Sequence, residues 1–225
     1  MGEVLVAYAS GEGQTEKVAA VIAAVLRERG HDVTVRRVTE DAPSVEEFDA
    51  VLVGSSVNNR AHRPEAVAYI EENVAPLADR PSGFFQLSLA SAARSRWARR
   101  GATAFVDDLT DQTGWYPDRV GLFAGALKYS QYGRVERQLF RLAAAATTGD
   151  TDTSRDYEYT DWVGVESFAR QFSDDVESGD ETTANATRRP RARRLARGVT
   201  GVAALAVVGV ILYWLGTNRV KSRRR

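Results

Sequence analysis

The sequence predicts an α/β domain, a five-stranded parallel sheet wound on both faces, followed by one C-terminal transmembrane helix. Three observations carry this. Apolar runs of strand length alternate with stretches of helical spacing as far as residue 175, the pattern of successive βα units. One run, Asp49–Gly54 (DAVLVG), is apolar throughout after its Asp, as a strand covered on both faces must be. Near the C-terminus, Gly198–Asn218 is an uncharged run of 21 residues.

The elements follow in order. Val4–Ala9 is the first strand, and Thr15–Arg29 a helix with Val18, Ala19, Ile22, Val25 and Leu26 on one face. Gly30 ends it, as C-terminal glycines do. Asp32–Val38, with Val33, Val35 and Val38, is the second strand and Asp49–Gly54 the third. A loop Ser55–Arg60 precedes a helix from Pro64 to Val74, with proline at its first position. Ser82–Leu89 and Arg119–Leu127 complete the sheet, with a helix inside Ala92–Thr113 between them. Tyr132–Ala146 and Asp161–Asp175 have helical spacing. Ligands of such sheets sit outside the carboxyl ends of the strands at a topological switch point. That selects the loops at residues 10–15, 55–60 and 88–94.

The first of these loops reads as a phosphate seat. Backbone N–H groups at a helix N-terminus lack intrahelical partners, and the helix dipole adds positive charge there. Ser10 and Thr15 add hydroxyls, and Gly11 and Gly13 let the chain curl closely. The P-loop pattern G-x-x-x-x-G-K-[ST] fails, because no Gly-Lys-Ser/Thr follows. The dinucleotide pattern G-x-G-x-x-G fails at Glu16. A hydroxyl-rich loop without lysine suits the single terminal phosphate of FMN. The competing reading is a plain strand-to-helix turn with Ser10 as N-cap.

Composition narrows the function. Formal net charge is zero, yet eleven of the thirty Lys and Arg residues fall in 188–225, where there is no acid. The remaining chain sets nineteen basic residues against thirty acidic ones, a net charge of −11. An acidic body of this kind is not expected to bind nucleic acid through its field. Cysteine is absent, which excludes disulfides, thiolate-bound zinc, iron–sulfur clusters and a cysteine nucleophile. His31 and His62 are the only histidines. No metal site is expected on them, and a Ser-His-Asp triad has no G-x-S-x-G elbow. His31, in a turn before a strand, reads as a surface residue.

Four stretches together resemble a known family. They are Tyr8–Thr15 (YASGEGQT), Val53–Val57 (VGSSV), Phe123–Tyr129 (FAGALKY) with Tyr132, and Gly149–Thr153 (GDTDT) followed by Tyr159–Trp162 (YTDW). They resemble the flavodoxin-like family and, through the last two, its membrane-associated branch of menaquinone-dependent protoporphyrinogen dehydrogenases. The resemblance implies a flavodoxin-like fold binding FMN, which oxidises protoporphyrinogen IX in haem biosynthesis and passes electrons to a membrane quinone. It implies a phosphate held on Ser10, Gly11, Glu12, Gly13, Gln14 and Thr15, with Ser10, Gln14 and Thr15 as donors and the Glu12 carboxylate turned to solvent. It implies a flavin ring between Ser56, Val57 and Asn58 on one side and Leu87, Ser88, Leu89 and Ala90 on the other. Neither ring loop holds an aromatic residue. Either one ring face is open to a flat partner, or Trp97, Tyr129 or Tyr132 arrives from elsewhere.

The segment after Leu127 is an insertion relative to a minimal five-unit sheet. It mixes Lys128, Tyr129, Tyr132, Arg134, Arg137 and Arg141 with Leu139, Phe140 and Leu142. The resemblance implies that it lies near the flavin and is associated with substrate and membrane. A porphyrinogen is a large apolar ring with two propionates, so it needs apolar walls and a few cations. Arg60, Arg63, Arg94, Arg96, Lys128 and Arg134 are the candidates, against a solvated basic face for any one of them. No residue stands out as a general base, so the catalytic residues stay unassigned.

Four segments are expected. Residues 1–176 form the FMN domain, 177–197 a polar then basic linker, 198–218 a transmembrane helix and 219–225 a basic tail. At 1.5 Å per residue the apolar run reaches about 30 Å, a bilayer core. Arginines flank it, and Tyr213 and Trp214 sit near one edge as interfacial aromatics do. Positive charge on both sides leaves orientation open. No signal peptide precedes the first strand, so the expected location is the cell membrane, by a single C-terminal anchor with the flavin domain in the cytoplasm. Members of the resembled branch typically lack this span and associate peripherally. The alternative function is a membrane-tethered flavodoxin-type electron carrier or another quinone-linked flavin reductase.

Overall fold

The computed structural model describes residues 1–39, 42–92, 96–127, 152–154 and 156–185. Its frame is a parallel sheet of β1 (Glu3–Ala9), β2 (Asp32–Arg37), β3 (Ala50–Asn58), β5 (Ser82–Ser88) and β6 (Arg119–Ala124), in the order β2-β1-β3-β5-β6. The chain goes from β1 to one edge, then crosses back to β3 on the other side of β1. That reversal is the switch point, and there Ala9 lies beside Ser55.

Side chains alternate along each strand, and both faces are covered. Val4, Val6 and Tyr8 of β1, Leu52 of β3 and Phe85 and Leu87 of β5 pack with α1 (Gln14–Glu28) and α5 (Trp162–Asn185). Leu5, Ala7, Val51, Val53 and Phe84 face the other way. There they meet α2 (Pro64–Glu72), α3 (Val74–Ala78) and α4 (Arg96–Thr113). Two buried faces explain why β3 reads as an unbroken apolar run instead of an alternating one. Each fully buried Val, Leu or Phe contributes about 1.5–3 kcal/mol. Close packing also fixes Gly54: a Cβ there would lie 2.0 Å from Phe85 Cζ, so β3 leaves room for the neighbouring ring.

Charged ties close the periphery. Arg119 at the start of β6 grips Asp175 of α5 through Nε (2.5 Å) and Nη2 (2.9 Å). His31 is 5 % exposed and is not a surface residue. Its Nδ1 accepts from Gly2 N (3.3 Å) and its Nε2 bonds Ser173 Oγ (2.8 Å). The sequence pattern did not reveal this because Ser173 is supplied by α5, 142 residues away.

The structure departs from the sequence expectations at several boundaries. β3 does not stop at Gly54 but continues to Asn58, and a two-residue turn at Asn59 (φ 50°) and Arg60 (φ 65°) returns the chain as β4 (Ala61–His62). The expected loop is therefore a β-hairpin. The helix expected over Pro64–Val74 breaks at Asn73, because Pro76 in α3 has no N–H to donate and its ring would meet the Glu72 carbonyl. The last expected strand ends at Ala124. Gly125 then leads into β7 (Ala126–Leu127), which pairs antiparallel with β8 (Tyr157–Glu158). α5 runs to Asn185, through the acidic stretch expected as the start of a linker. The helix expected over Tyr132–Ala146 and the apolar run 198–218 lie outside the described residues. Among the described residues, no helix is long and apolar enough to cross a membrane.

Candidate functional site

A cleft opens at the carboxyl ends of β1, β3, β5 and β6, at the switch point. Eleven of the expected cofactor residues line it: Ser10, Gly11, Glu12, Gln14, Thr15, Ser56, Val57, Asn58, Leu87, Ser88 and Leu89. Gly13 and Ala90 are not among its lining residues. Gly13 is the N-cap of α1 in the left-handed conformation (φ 83°), and Ala90 lies in a 3-10 turn, Leu89–Ala92.

At the α1 end the chain prepares an anion seat. Ser10 is not the N-cap; its Oγ accepts from Gly13 N (3.0 Å), closing the loop one residue ahead of the helix. α1 then starts with no side chain capping its first turn, so its N–H groups and dipole are offered to whatever enters the cleft. Thr15 is 1 % exposed, and its Oγ1 is buried without a partner. Leaving a buried hydroxyl unpaired costs about 1–3 kcal/mol, so its presence argues for a ligand that takes the proton. Arg37 Nη2 donates to the Ser10 carbonyl (2.7 Å) and fixes the loop from outside.

Gln14 is also tied into the protein's own hydrogen bonds. Its Nε2 donates to Thr160 Oγ1 (2.9 Å), whose own proton goes to the Ala124 carbonyl (3.0 Å). That bond commits one of the two amide N–H groups and leaves the second free for a ligand. Its Oε1 is buried and unpartnered, an acceptor that matches a ligand hydroxyl. Thr160 was missed as a site residue; it lies 146 residues beyond Gln14, and only the β7–β8 pairing brings it there.

The ends of β3, β5 and β6 supply the rest of the lining: aliphatic Val57, Leu87 and Leu89 beside polar Ser56, Asn58 and Ser88, together with Gly125 and Ala126, two further residues that sequence reasoning missed. The β5 loop is held from beneath. Gln86 Oε1 bonds His62 Nε2 (2.9 Å), and Gln86 Nε2 donates to Ala102 O (3.1 Å) and to Ser88 Oγ (3.3 Å). Ser88 Oγ in turn accepts from Ser91 N (3.2 Å). Burial pushes the His62 pKa below its ordinary value, opposed by the bond to Gln86. No aromatic residue is among the described residues lining the cleft.

The six expected substrate cations separate. Arg63 reaches the cleft, at its α1 end. Arg60 is exposed at the hairpin tip and borders a different hollow, with His62, Phe105 and Asp108, between α2 and α4. Arg96 opens α4. Arg94, Lys128 and Arg134, and with them Tyr129 and Tyr132, lie outside the described residues. β7 and β8 pair residues 126–127 with 157–158, and of these Ala126 lines the cleft.

An uncapped helix N-terminus at the switch point of a parallel sheet in the order β2-β1-β3-β5-β6 defines a mononucleotide-binding α/β domain. The chain belongs to the flavodoxin domain family, which residues 5–154 match. It is 29% identical over 171 residues to the Escherichia coli K12 protein named protoporphyrinogen IX dehydrogenase [quinone], an alignment covering 75% of this chain and 93% of that one. A Leishmania major protein of the same name is 29% identical over 175 residues, covering 75% of this chain and 74% of its own.

Proposed function

We propose that this chain is an FMN-dependent dehydrogenase that oxidises protoporphyrinogen IX and delivers the electrons to a membrane quinone. The observation that carries the reading is the match between cleft and cofactor. A buried, unpartnered Thr15 hydroxyl and a bare helix N-terminus sit at one end, and an aliphatic slot lies at the other. The two named relatives supply the substrate class.

In this reading Thr15, Ser10 and the first-turn N–H groups of α1 hold the phosphate, and Gln14 Oε1 accepts from a ribityl hydroxyl. Val57, Leu87, Leu89 and Ala126 exclude water from the ring, and the His62–Gln86–Ser88 chain holds the wall they stand on. When bound, FMN supplies the two-electron chemistry that no side chain of this protein offers. The described residues lining the aliphatic end carry no titratable group. The protein's part there is orientation and shape, with the open face left to a flat substrate.

The C-terminal run 198–218 is the proposed membrane anchor, with the flavin domain on the cytoplasmic side. Its length and flanking arginines support this, and it would hold the cleft near the quinone pool. Full-length protein expressed in cells should stay with the membrane pellet through an alkaline carbonate wash; release into the supernatant would remove the anchor.

The catalytic test is anaerobic. FMN-loaded full-length protein in detergent is mixed with protoporphyrinogen IX, and the visible flavin absorbance is followed before and after addition of a menaquinone analogue. Loss and recovery of the absorbance are expected. No loss with porphyrinogen would overturn the dehydrogenase reading and leave a tethered electron carrier.

A further inference from the structure

The anion seat contains a charge that its loop lacks. Residues 10–15 include no lysine or arginine and do include Glu12, so the loop alone meets a phosphate dianion with dipoles and hydroxyls only. Among the described residues lining the cleft, Arg63 is the cation. It comes from outside the loop, by way of the β3–β4 hairpin, and its backbone is fixed there by Arg63 N donating to Ser55 Oγ (3.0 Å). The guanidinium stands over the loop: a Cβ on Gly11 would lie 3.6 Å from Arg63 Nη1.

The guanidinium is only partly engaged. Arg63 Nη2 donates to Glu65 Oε1 (2.8 Å), in the first turn of α2. Arg63 Nε is buried without a partner, as is Glu65 Oε2. Nε and Nη2 share the edge that faces Glu65, so Nη1, the nitrogen nearest Gly11, is the donor left for a ligand, and guanidinium N–H groups match phosphate oxygens. Thr15 Oγ1, also buried and unpartnered, lines the same end of the cleft. Thr15 and Arg63 thus bring two donors to the same end of the cleft, Arg63 through Nη1, the nitrogen nearest Gly11. Arg37 is committed to the Ser10 carbonyl and fills a different need.

We infer that Arg63, oriented by Glu65, is the phosphate-binding cation of this site and makes it select FMN over flavins that lack the phosphate. The inference rests on the FMN reading above and moves Arg63 from the substrate to the cofactor. Glu65 is a positioning residue: it fixes one edge of the guanidinium and leaves the other edge to the ligand. The strained hairpin, with Arg60 at φ 65°, is the device that brings residue 63 back to the loop.

The test uses full-length apoprotein in detergent and the quenching of flavin fluorescence. FMN and riboflavin are titrated into the natural protein, Arg63→Gln and Arg63→Lys, at low and high salt. The charge-assisted bond should be worth about 10- to 100-fold in FMN affinity. Arg63→Gln should lose that factor, leave riboflavin within about twofold, and flatten the salt dependence of FMN binding. Arg63→Lys should recover part of the FMN affinity, which also guards against a variant that has merely misfolded. Equal weakening of FMN and riboflavin would make Arg63 a support of the loop and overturn the inference. So would unchanged FMN affinity with a raised KM for protoporphyrinogen, which would return Arg63 to the substrate. If the natural protein binds neither flavin, the FMN reading falls first and takes this one with it.

Discussion

The two ends of the cleft are made by different means. The α1 end is specified atom by atom: Gly13 N on Ser10 Oγ, Arg37 on the Ser10 carbonyl, Gln14 on Thr160, with Thr15 Oγ1 left over inside. The far end is specified by shape, through Val57, Leu87, Leu89 and Ala126. Hydrogen bonds are directional and lose their value within a few tenths of an ångström. Apolar contact is non-directional and roughly proportional to area. One end therefore fixes what is bound and where, while the other tolerates variety in what lies against it. That division suits a site that keeps one cofactor and meets a large flat partner.

The largest predicted effect would abolish the contrast by damaging the sheet under both ends. Gly54→Ala places a Cβ on the Phe85 ring and should cost about 1–3 kcal/mol of stability, read as a lower denaturation midpoint with FMN and riboflavin binding reduced together. An unchanged midpoint would show that Phe85 can move aside.

Next comes a change confined to the polar end. Thr15→Val should weaken FMN binding by about 10- to 100-fold and leave riboflavin nearly unaffected. The apoprotein should be no less stable, because the substitution removes a buried hydroxyl with no partner. A large loss of apoprotein stability would mean the hydroxyl already has a structural partner. At the aliphatic end the pattern should differ. Val57→Ala should weaken FMN and riboflavin alike, by about threefold to fivefold from the lost apolar contact. Discrimination between the two flavins by this variant would contradict the division of the cleft.

The smallest effect concerns protons. His62, under the aliphatic end, and His31, at the opposite edge of the sheet, both have pKa values pushed below 6.5 by burial, His31 with help from the N-terminal ammonium. Below about pH 6.5 the unfolded chain thus binds more protons than the native one, so stability is retained above that pH and lost as pH falls below it. Thermal melts of the apoprotein at pH 7.5 and pH 5 should show the lower midpoint at pH 5. Glu65 is held below its ordinary value by Arg63, so its contribution is lost only at still lower pH. A higher midpoint at pH 5 would mean that one of the two imidazoles gains a carboxylate partner on protonation, Glu177 at 3.9 Å from His31 Nε2 being the candidate.

Much of this was written locally in the chain. The continuous apolar run of β3, the spacing of Val18, Ile22 and Leu26 in α1 and the Gly30 stop needed no knowledge of the fold, because burial on two faces and helical period act on neighbouring residues. Residues 10–15 were legible for the same reason: an anion seat at a helix N-terminus is a property of one short stretch. The hairpin was not, since a two-residue turn built on Asn59 and Arg60 lacks the glycine that usually marks it. Once the hairpin was missed, Arg63 could only be grouped with the other arginines near the cleft. Thr160 was not legible for a related reason: its place beside Gln14 depends on the turn after β8 and on the bond from its hydroxyl to the Ala124 carbonyl.

The sequence by itself determined the order and kind of the sheet's elements and the loop that receives an anion, because periodicity and turn chemistry are carried by adjacent residues. Only the tertiary structure decided which distant groups complete that loop. Arg63 and Thr160 reach it through strand pairing and register, and neither is readable from the residues that flank them.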